Sequence, residues 1–292
     1  MVRTVVKMAG RIRNYYRAHP VRRPVLTALI VSLIFLITWT LWANKALECN
    51  EYTVTSSKLP QAFDGFRIAQ VSDLHNDEFG DHNEELLQML RDAKPDMIAI
   101  TGDMIDAYDR NPDIALAFAA EAVQIAPCYY VTGNHESRYE DIDQFLRSLE
   151  KCGVNVLYDA YAVIENNGDK IAILGINDPT FHSYDRMDVA IPALMVDADY
   201  YVLLSHRPER MDDYAAVGVD LVLCGHAHGG QVRLPFVGGL IAPNQGWFPE
   251  YDTGAYTQHD TTMIVSRGLG NSSVPIRFNN RPEVVVVQLQ KE

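Results

Sequence analysis

Five short apolar runs in this chain each end in residues that bind cations. Phe66–Val71 leads into Ser72-Asp73-Leu74-His75, Met97–Thr101 into Gly102-Asp103, and Tyr129–Thr132 into Gly133-Asn134-His135-Glu136. Tyr200–Ser205 runs into His206, and Val219–Cys224 into Gly225-His226-Ala227-His228-Gly229-Gly230-Gln231. Runs of this length bounded by turn residues read as buried strands. In open α/β sheets, sites form outside the carboxyl ends of the strands. Each residue alone has an ordinary use: Asp73 can cap a turn, His206 can be a satisfied core histidine, and His226 and His228 can sit in a polar loop. Five strand ends carrying carboxylate, carboxamide and imidazole, with five of the nine histidines among them, point instead to one shared site. In an extended segment residues two apart face the same side, so both imidazoles of His226 and His228 are expected to aim at one point. By the same rule the neighbours Asn134 and His135 are expected to point in different directions.

The segments between these runs read as helices and further strands. Glu84–Ala93, Pro112–Ile125 and Tyr139–Cys152 have helical patterns, the second with proline in its first turn and the third ended by Gly153. Val154–Tyr158, Ala162–Glu165 and Lys170–Ile176 read as strands, and Asn167-Gly168 makes a hairpin turn between the last two. Thr261–Val265 and Glu283–Leu289 are late strands without helices, which predicts a second sheet packed on the first in an α/β layered architecture.

The N-terminal region has a different character. Of the 25 Lys and Arg residues, eight lie in residues 1–47, which hold no Asp or Glu; the other 17 face all 38 acidic residues. Pro24–Asn44 is 21 residues without a charge, long enough as a helix to span a bilayer core. Residues 1–23 therefore read as a basic cytoplasmic tail, 24–44 as a transmembrane anchor, 45–62 as a linker and 63–292 as the main domain. Trp39 and Trp42 fall near the interface, and seven positive charges precede the span, which puts the N-terminus in the cytoplasm and the domain outside it. A cleaved signal peptide is the rival reading, but Ala43-Asn44-Lys45 is a poor cleavage site. Arg22-Arg23-Pro24-Val25-Leu26 also resembles a twin-arginine export signal. The acidic body argues against nucleic acid as a partner. Cys49, Cys128, Cys152 and Cys224 lack zinc-finger spacing and read as unpaired thiols.

Taken in order, D-x-H, G-D, G-N-H-E, a lone His and G-H-A-H over residues 60–290 resemble the calcineurin-like metallophosphoesterase superfamily. The N-terminal anchor together with G-H-A-H-G-G-Q is similar to its bacterial membrane-associated branch, the YkuE-type phosphodiesterases. Glu136 departs from the pattern, which commonly has Asp there. The resemblance implies a four-layer α-β-β-α sandwich preceded by one transmembrane helix. It also implies a dinuclear centre with two divalent ions (Mn, Fe or Zn). Asp73, His75 and His228 hold the first ion, Asn134, His206 and His226 the second, and Asp103 bridges both. His135 is left to protonate the leaving group as general acid.

The chemistry fits the donors independently of the resemblance. Oxygen and imidazole ligands without thiolate suit such ions, and a metal pair activates a hydroxide that attacks phosphorus in line. Two dications also offset Asp73 and Asp103, so the site can accept an anionic ester despite the acidic body. The implied substrate is a phosphodiester or pyrophosphate, with membrane attachment favouring an envelope or lipid-linked molecule. A catalytically silent scaffold or envelope binding protein of the same fold is the alternative, and it is expected to lack some ligands. The segment Arg267-Gly268-Leu269-Gly270-Asn271-Ser272-Ser273, with Arg277 and Arg281, either lines the substrate cleft or is an ordinary loop.

Overall fold

The computed structural model describes residues 22–108, 111–181, 186–271 and 276–292, with side chains from Pro24 onward. Residues 1–21 of the basic tail, the side chains of Arg22 and Arg23, and Ser272 and Ser273 lie outside the described set. The chain divides into two units, residues 1–42 and 43–292. The first contains all but the last residue of helix α1, Arg22–Ala43, whose segment Pro24–Ala43 has mean hydropathy 2.3. At ~1.5 Å per residue such a helix is long enough to cross a bilayer. Among the described residues it is the one helix that is both long and apolar enough to do so.

The second unit is built on two six-stranded sheets. The strands of the first are β1 (Glu48–Ser56), β2 (Arg67–Val71), β3 (Met97–Thr101), β4 (Cys128–Val131), β5 (Asn155–Val156) and β16 (Glu283–Lys291), in the order β1-β16-β2-β3-β4-β5. The second holds β6 (Ala160–Asn166), β7 (Asp169–Gly175), β8 (Tyr200–Leu204), β9 (Leu221–Cys224), β14 (Gly254–Gln258) and β15 (Thr261–Val265), in the order β14-β15-β9-β8-β7-β6. Helices α2 (Glu84–Ala93), α3 (Asp113–Ala122) and α4 (Ile142–Cys152) belong to the first sheet, α5 (Met187–Leu194) and α6 (Met211–Val217) to the second. Two short hairpins, β10 (Arg233–Leu234) with β11 (Gly238–Gly239) and β12 (Ile241–Ala242) with β13 (Gly246–Trp247), follow β9.

Strand alternation explains the layering. Successive side chains of a strand face opposite sides. In β3, Met97 and Ala99 join a core shared with Ile173, Val202, Leu204 and Leu223 of the other sheet. Ile98 and Ile100 face the opposite way, onto Leu86, Leu90 and Phe118 of α2 and α3. In β9, Leu221 and Leu223 face the first sheet while Val222 packs with Ile191 and Tyr214 of the outer helices. Three apolar cores thus separate four layers, α-β-β-α, as the family resemblance implies. Because both faces of each central strand are covered, these strands are apolar runs rather than alternating ones.

Most elements lie within one to three residues of where the sequence predicts them, and Asn167 and Gly168 both have the positive φ of a hairpin turn (51° and 92°). One assignment needs correction. The stretch read as linker, residues 45–62, contains β1, which pairs in parallel with β16 from Glu48↔Glu283 to Ser56↔Lys291. An edge strand exposes one side, so β1 carries polar residues throughout and only Val54 is buried. Its partner lies at the far end of the sequence, which local pattern cannot show. The four cysteines are unpaired, and Cys128 and Cys224 are buried.

Candidate metal centre

The site begins with the parallel pairing of β2, β3 and β4 in one sheet and β7, β8 and β9 in the other, which brings their carboxyl ends together. Gln70 ties the two sheets beneath it. Its buried amide donates to Thr101 Oγ1 (3.0 Å) in the first sheet and to the Cys224 carbonyl (2.8 Å) in the second. Loops then close over the ends: Asp73 N donates to Gly102 O (3.0 Å), His75 N to Asp103 O (3.0 Å) and Gly270 N to Asp73 O (2.7 Å).

All eight sequence-predicted residues are brought to this place, and all are buried. Asp73, His75 and His228 form one group of ligand atoms within 4.8 Å of one another, and Asp103, His206 and His226 form a second. Asp103 Oδ2 lies 3.1 Å from His206 Nε2 and 3.7 Å from His75 Nε2, so one carboxylate stands between the groups. His228 Nε2 is 3.4 Å from Asp73 Oδ1, and His226 Nδ1 is 3.2 Å from His206 Nε2. The carboxamide oxygen of Asn134 is buried with no hydrogen-bond partner, as are both ring nitrogens of His75. Unpartnered buried polar atoms are costly; a cation here would satisfy the Asn134 oxygen and His75 Nε2, while His75 Nδ1 faces the Asp106 carboxylate at 3.6 Å. The residues therefore fit the divalent ions that the fold family implies.

The backbone departs from the extended form assumed for the histidine pair. Asp73, His75, Asp103, His226 and His228 all have left-handed φ, between 47° and 65°. Such residues cost roughly 1–3 kcal/mol each and persist where the surroundings hold them. His226 and His228 consequently join different groups instead of aiming at one point. His135, with φ −71° and ψ −38°, is also not extended. Two glycines are required by close approach. A Cβ on Gly133 would lie 2.1 Å from Asp103 Oδ1, and one on Gly225 1.9 Å from Ser72 Oγ and 2.3 Å from Asp73 Oδ2.

Hydrogen bonds outside the groups set the ring nitrogens. His206 Nδ1 donates to the Thr101 carbonyl (2.8 Å), which leaves Nε2 as a free lone pair toward Asp103. His226 Nε2 lies between Asn244 Oδ1 (3.0 Å) and the donor Arg207 Nη1 (2.9 Å), which itself donates to Asn244 Oδ1. His135 Nδ1 accepts from the Ala107 N–H (3.0 Å), so its ring hydrogen sits on Nε2, with the Asp106 carboxylate 3.7 Å from Nδ1. Burial pushes His75 and His226 down to about 3 and His228 well below the usual imidazole range, keeping all three neutral. Burial also opposes charge on His206, but Asp103 and then Asp73 outweigh it and raise it to about 10. The two carboxylates thus favour a positive charge between them, whether proton or metal ion.

Around the centre, Glu136 does more than the sequence predicts, and Asp178, Arg207 and Asp106 are not predicted by it. Glu136 is fully buried, and its carboxylate accepts from the backbone N–H groups of Asp103 (3.0 Å), Met104 (2.7 Å) and Gly133 (2.9 Å). Arg207 makes a two-pronged pair with Asp178 and donates to Asn244 Oδ1 (2.8 Å) beside His226. Both Asp178 and Arg207 follow strand ends, where the rule that found the other residues applies equally. Asp106 forms a third group with His75 and His135. The late arginines are tied into the fold, and one reaches the site: Arg277 Nη2 lies 3.3 Å from His228 Nδ1. Arg267 pairs with Glu283 (2.8 Å), Arg281 with Glu48 (3.3 Å), and Arg277 is fully buried with its side chain on the Arg267 carbonyl (2.7 Å).

The sequence model of calcineurin-like phosphoesterases matches residues 66–230 of the chain. The metallophosphoesterase YkuE of Bacillus subtilis (strain 168) is 32% identical over 255 residues, covering 84% of this chain and 86% of that protein. The phosphodiesterase YaeI of Escherichia coli (strain K12) is 28% identical, with 77% and 82% covered. A transmembrane protein with metallophosphoesterase domain from Danio rerio is 25% identical over 92% of this chain and 63% of its own length.

Proposed function

The chain belongs to the calcineurin-like phosphoesterase family and is a metal-dependent hydrolase, and on that premise we propose which residues hold the metals and what it cleaves. Asp73, His75 and His228 hold one divalent ion, Asn134, His206 and His226 a second, and Asp103 touches both. The observation that carries this reading is Asp103 Oδ2, within 3.7 Å of a histidine from each group. When bound, two such ions stabilise charge on phosphoryl oxygens and supply a nucleophile from water near neutral pH.

The chain's own residues do the rest. His206 presents Nε2 because Thr101 O takes the opposite ring hydrogen, and Arg207 and Asn244 hold His226 from its Nε2 side. His135 offers its Nε2 hydrogen to the leaving oxygen. Proton delivery requires Nδ1 to give up the Ala107 contact, and the Asp106 carboxylate lies 3.7 Å from that atom.

The substrate in this reading is a phosphodiester or pyrophosphate of an envelope or lipid-linked molecule. The apolar helix and the name of the Danio rerio relative support a membrane setting. The test is turnover of a soluble aryl phosphodiester by the full chain with manganese, iron or zinc supplied singly, beside a panel of lipid-linked esters. Metal-dependent turnover is expected. No turnover with any of these ions, in protein shown to carry two ions per chain, would contradict it.

A further inference from the structure

Aromatic side chains stand in solvent on the two hairpins that follow His228. Phe236, at the turn between β10 and β11, is fully exposed, and Trp247 and Phe248 at the end of β13 are 69% and 65% exposed. Ile276 is 55% exposed. Phe236 and Phe248 also have left-handed φ (67° and 56°), a conformation that is costly for bulky residues. Large apolar side chains exposed on successive turns that follow one site are candidates for an interaction surface.

Hydrogen bonds connect the base of the first hairpin to the residue that follows the apolar helix. Val232 and Phe278 form a parallel bridge, Arg233 N donates to Phe278 O (3.0 Å), and Phe278 N donates to Gln231 O (3.2 Å). One residue earlier, Arg277 N donates to Asn44 Oδ1 (2.8 Å) and Asn44 Nδ2 to Arg277 O (2.7 Å). Asn44 directly follows Ala43, the last residue of α1. A further tie, Lys45 to Asp77 (2.6 Å), leaves no slack at this point. Whatever direction α1 takes, a bilayer that it crosses must end close to Asn44, and so close to Ile276 and the hairpins.

We propose that Phe236, Trp247, Phe248 and Ile276 enter the interfacial layer of the bilayer from which the chain's own apolar helix emerges. The partner is the lipid surface, and the inference rests on α1 being a membrane span. Aromatic rings with an apolar body favour that layer. The docking holds the mouth of the metal centre at headgroup level, because β10 begins five residues after His228. Soluble esters reach the centre without it; esters embedded in the membrane depend on it.

The test uses the full chain in lipid nanodiscs with Trp39→Phe and Trp42→Phe, so that Trp247 is the sole tryptophan. Lipids brominated in their acyl chains are expected to quench its fluorescence at least about twofold, as for an interfacial ring. Quenching by aqueous iodide with none by brominated lipid would overturn the proposal. Protection from both, as in a contact between two copies of the chain, would also overturn it. A second arm uses Phe236→Asp with Phe248→Asp. This variant is expected to hydrolyse a soluble aryl phosphodiester at the parent rate and to lose about tenfold on a vesicle-embedded phosphodiester. Parent-like rates on the embedded ester would overturn the proposal. If the parent hydrolyses neither ester, the hydrolase reading fails instead, and the quenching result stands by itself.

Discussion

The carboxylate of Glu136 holds the backbone N–H of Asp103 at 3.0 Å, and the same side chain reaches Met104 and Gly133. One buried acceptor thus fixes two loops that carry candidate ligands. Glu136→Ala leaves these donors buried and unpaired and is expected to cost about 3 kcal/mol. For a domain of this size that is roughly 6–12 °C in Tm. Glu136→Gln keeps an acceptor and should fall between. Thermal denaturation decides, and an alanine variant as stable as the parent would remove this role from Glu136.

Asp103→Ala is expected to lose both ions or leave them wrongly spaced, and with them at least about a thousandfold in rate, since the nucleophile depends on them. The check is metal analysis of the purified variant beside its turnover of an aryl phosphodiester. Two ions per chain with a near-parental rate would show that Asp103 is not shared.

His135 and Asn134 are adjacent but are assigned different work. His135→Ala should keep both ions and slow esters with poor leaving groups by about 10²–10⁴-fold, while a nitrophenyl ester loses much less. Asn134→Ala should weaken the second ion and slow both esters alike. Metal stoichiometry and rates on the two esters separate them. A His135→Ala protein that lost a metal, or slowed equally on both, would sink the assignment of His135 as proton donor.

Gly225→Ala places a methyl group against Ser72 Oγ and Asp73 Oδ2, at 1.9 and 2.3 Å, so Asp73 must move. Overpacking of this kind costs about 1–3 kcal/mol. The variant should fold, judged by circular dichroism, and bind fewer than two ions per chain. Full metal occupancy at parental affinity would mean that the loop yields where the geometry says it cannot.

The domain is expected to lie outside the cytoplasmic membrane, because positive charge precedes α1 and the acidic body follows it. Protease added to intact spheroplasts should digest the domain. Complete protection in spheroplasts, with digestion after lysis, would reverse the orientation.

The sequence made the centre legible because each ligand type stands at the end of an apolar run, and parallel sheets gather such ends. Asp73, His75, Asp103, Asn134, His135, His206, His226 and His228 were all found that way, and all are buried at one place. The same pattern does not report backbone twist. The left-handed φ at His226 and His228 sends the two rings to separate groups, where an extended strand would have sent them to one. Glu136 reads as a minor departure from a familiar motif, since two of its backbone partners, Asp103 and Met104, lie in a loop more than thirty residues away. Strand β1 read as linker because its hydrogen bonds go to the last strand, and its exposed edge carries no apolar signature.

That pairing has a consequence for biosynthesis. Glu48 must wait for Glu283 before its sheet edge is closed, so β1 leaves the ribosome with nearly the whole domain still to be made. Non-local contacts of this kind slow folding and keep strand edges open to wrong partners. The first strand outside the apolar helix is therefore the last to find its place. Until Glu283–Lys291 is made, any factor that meets the nascent domain meets it with β1 unpaired.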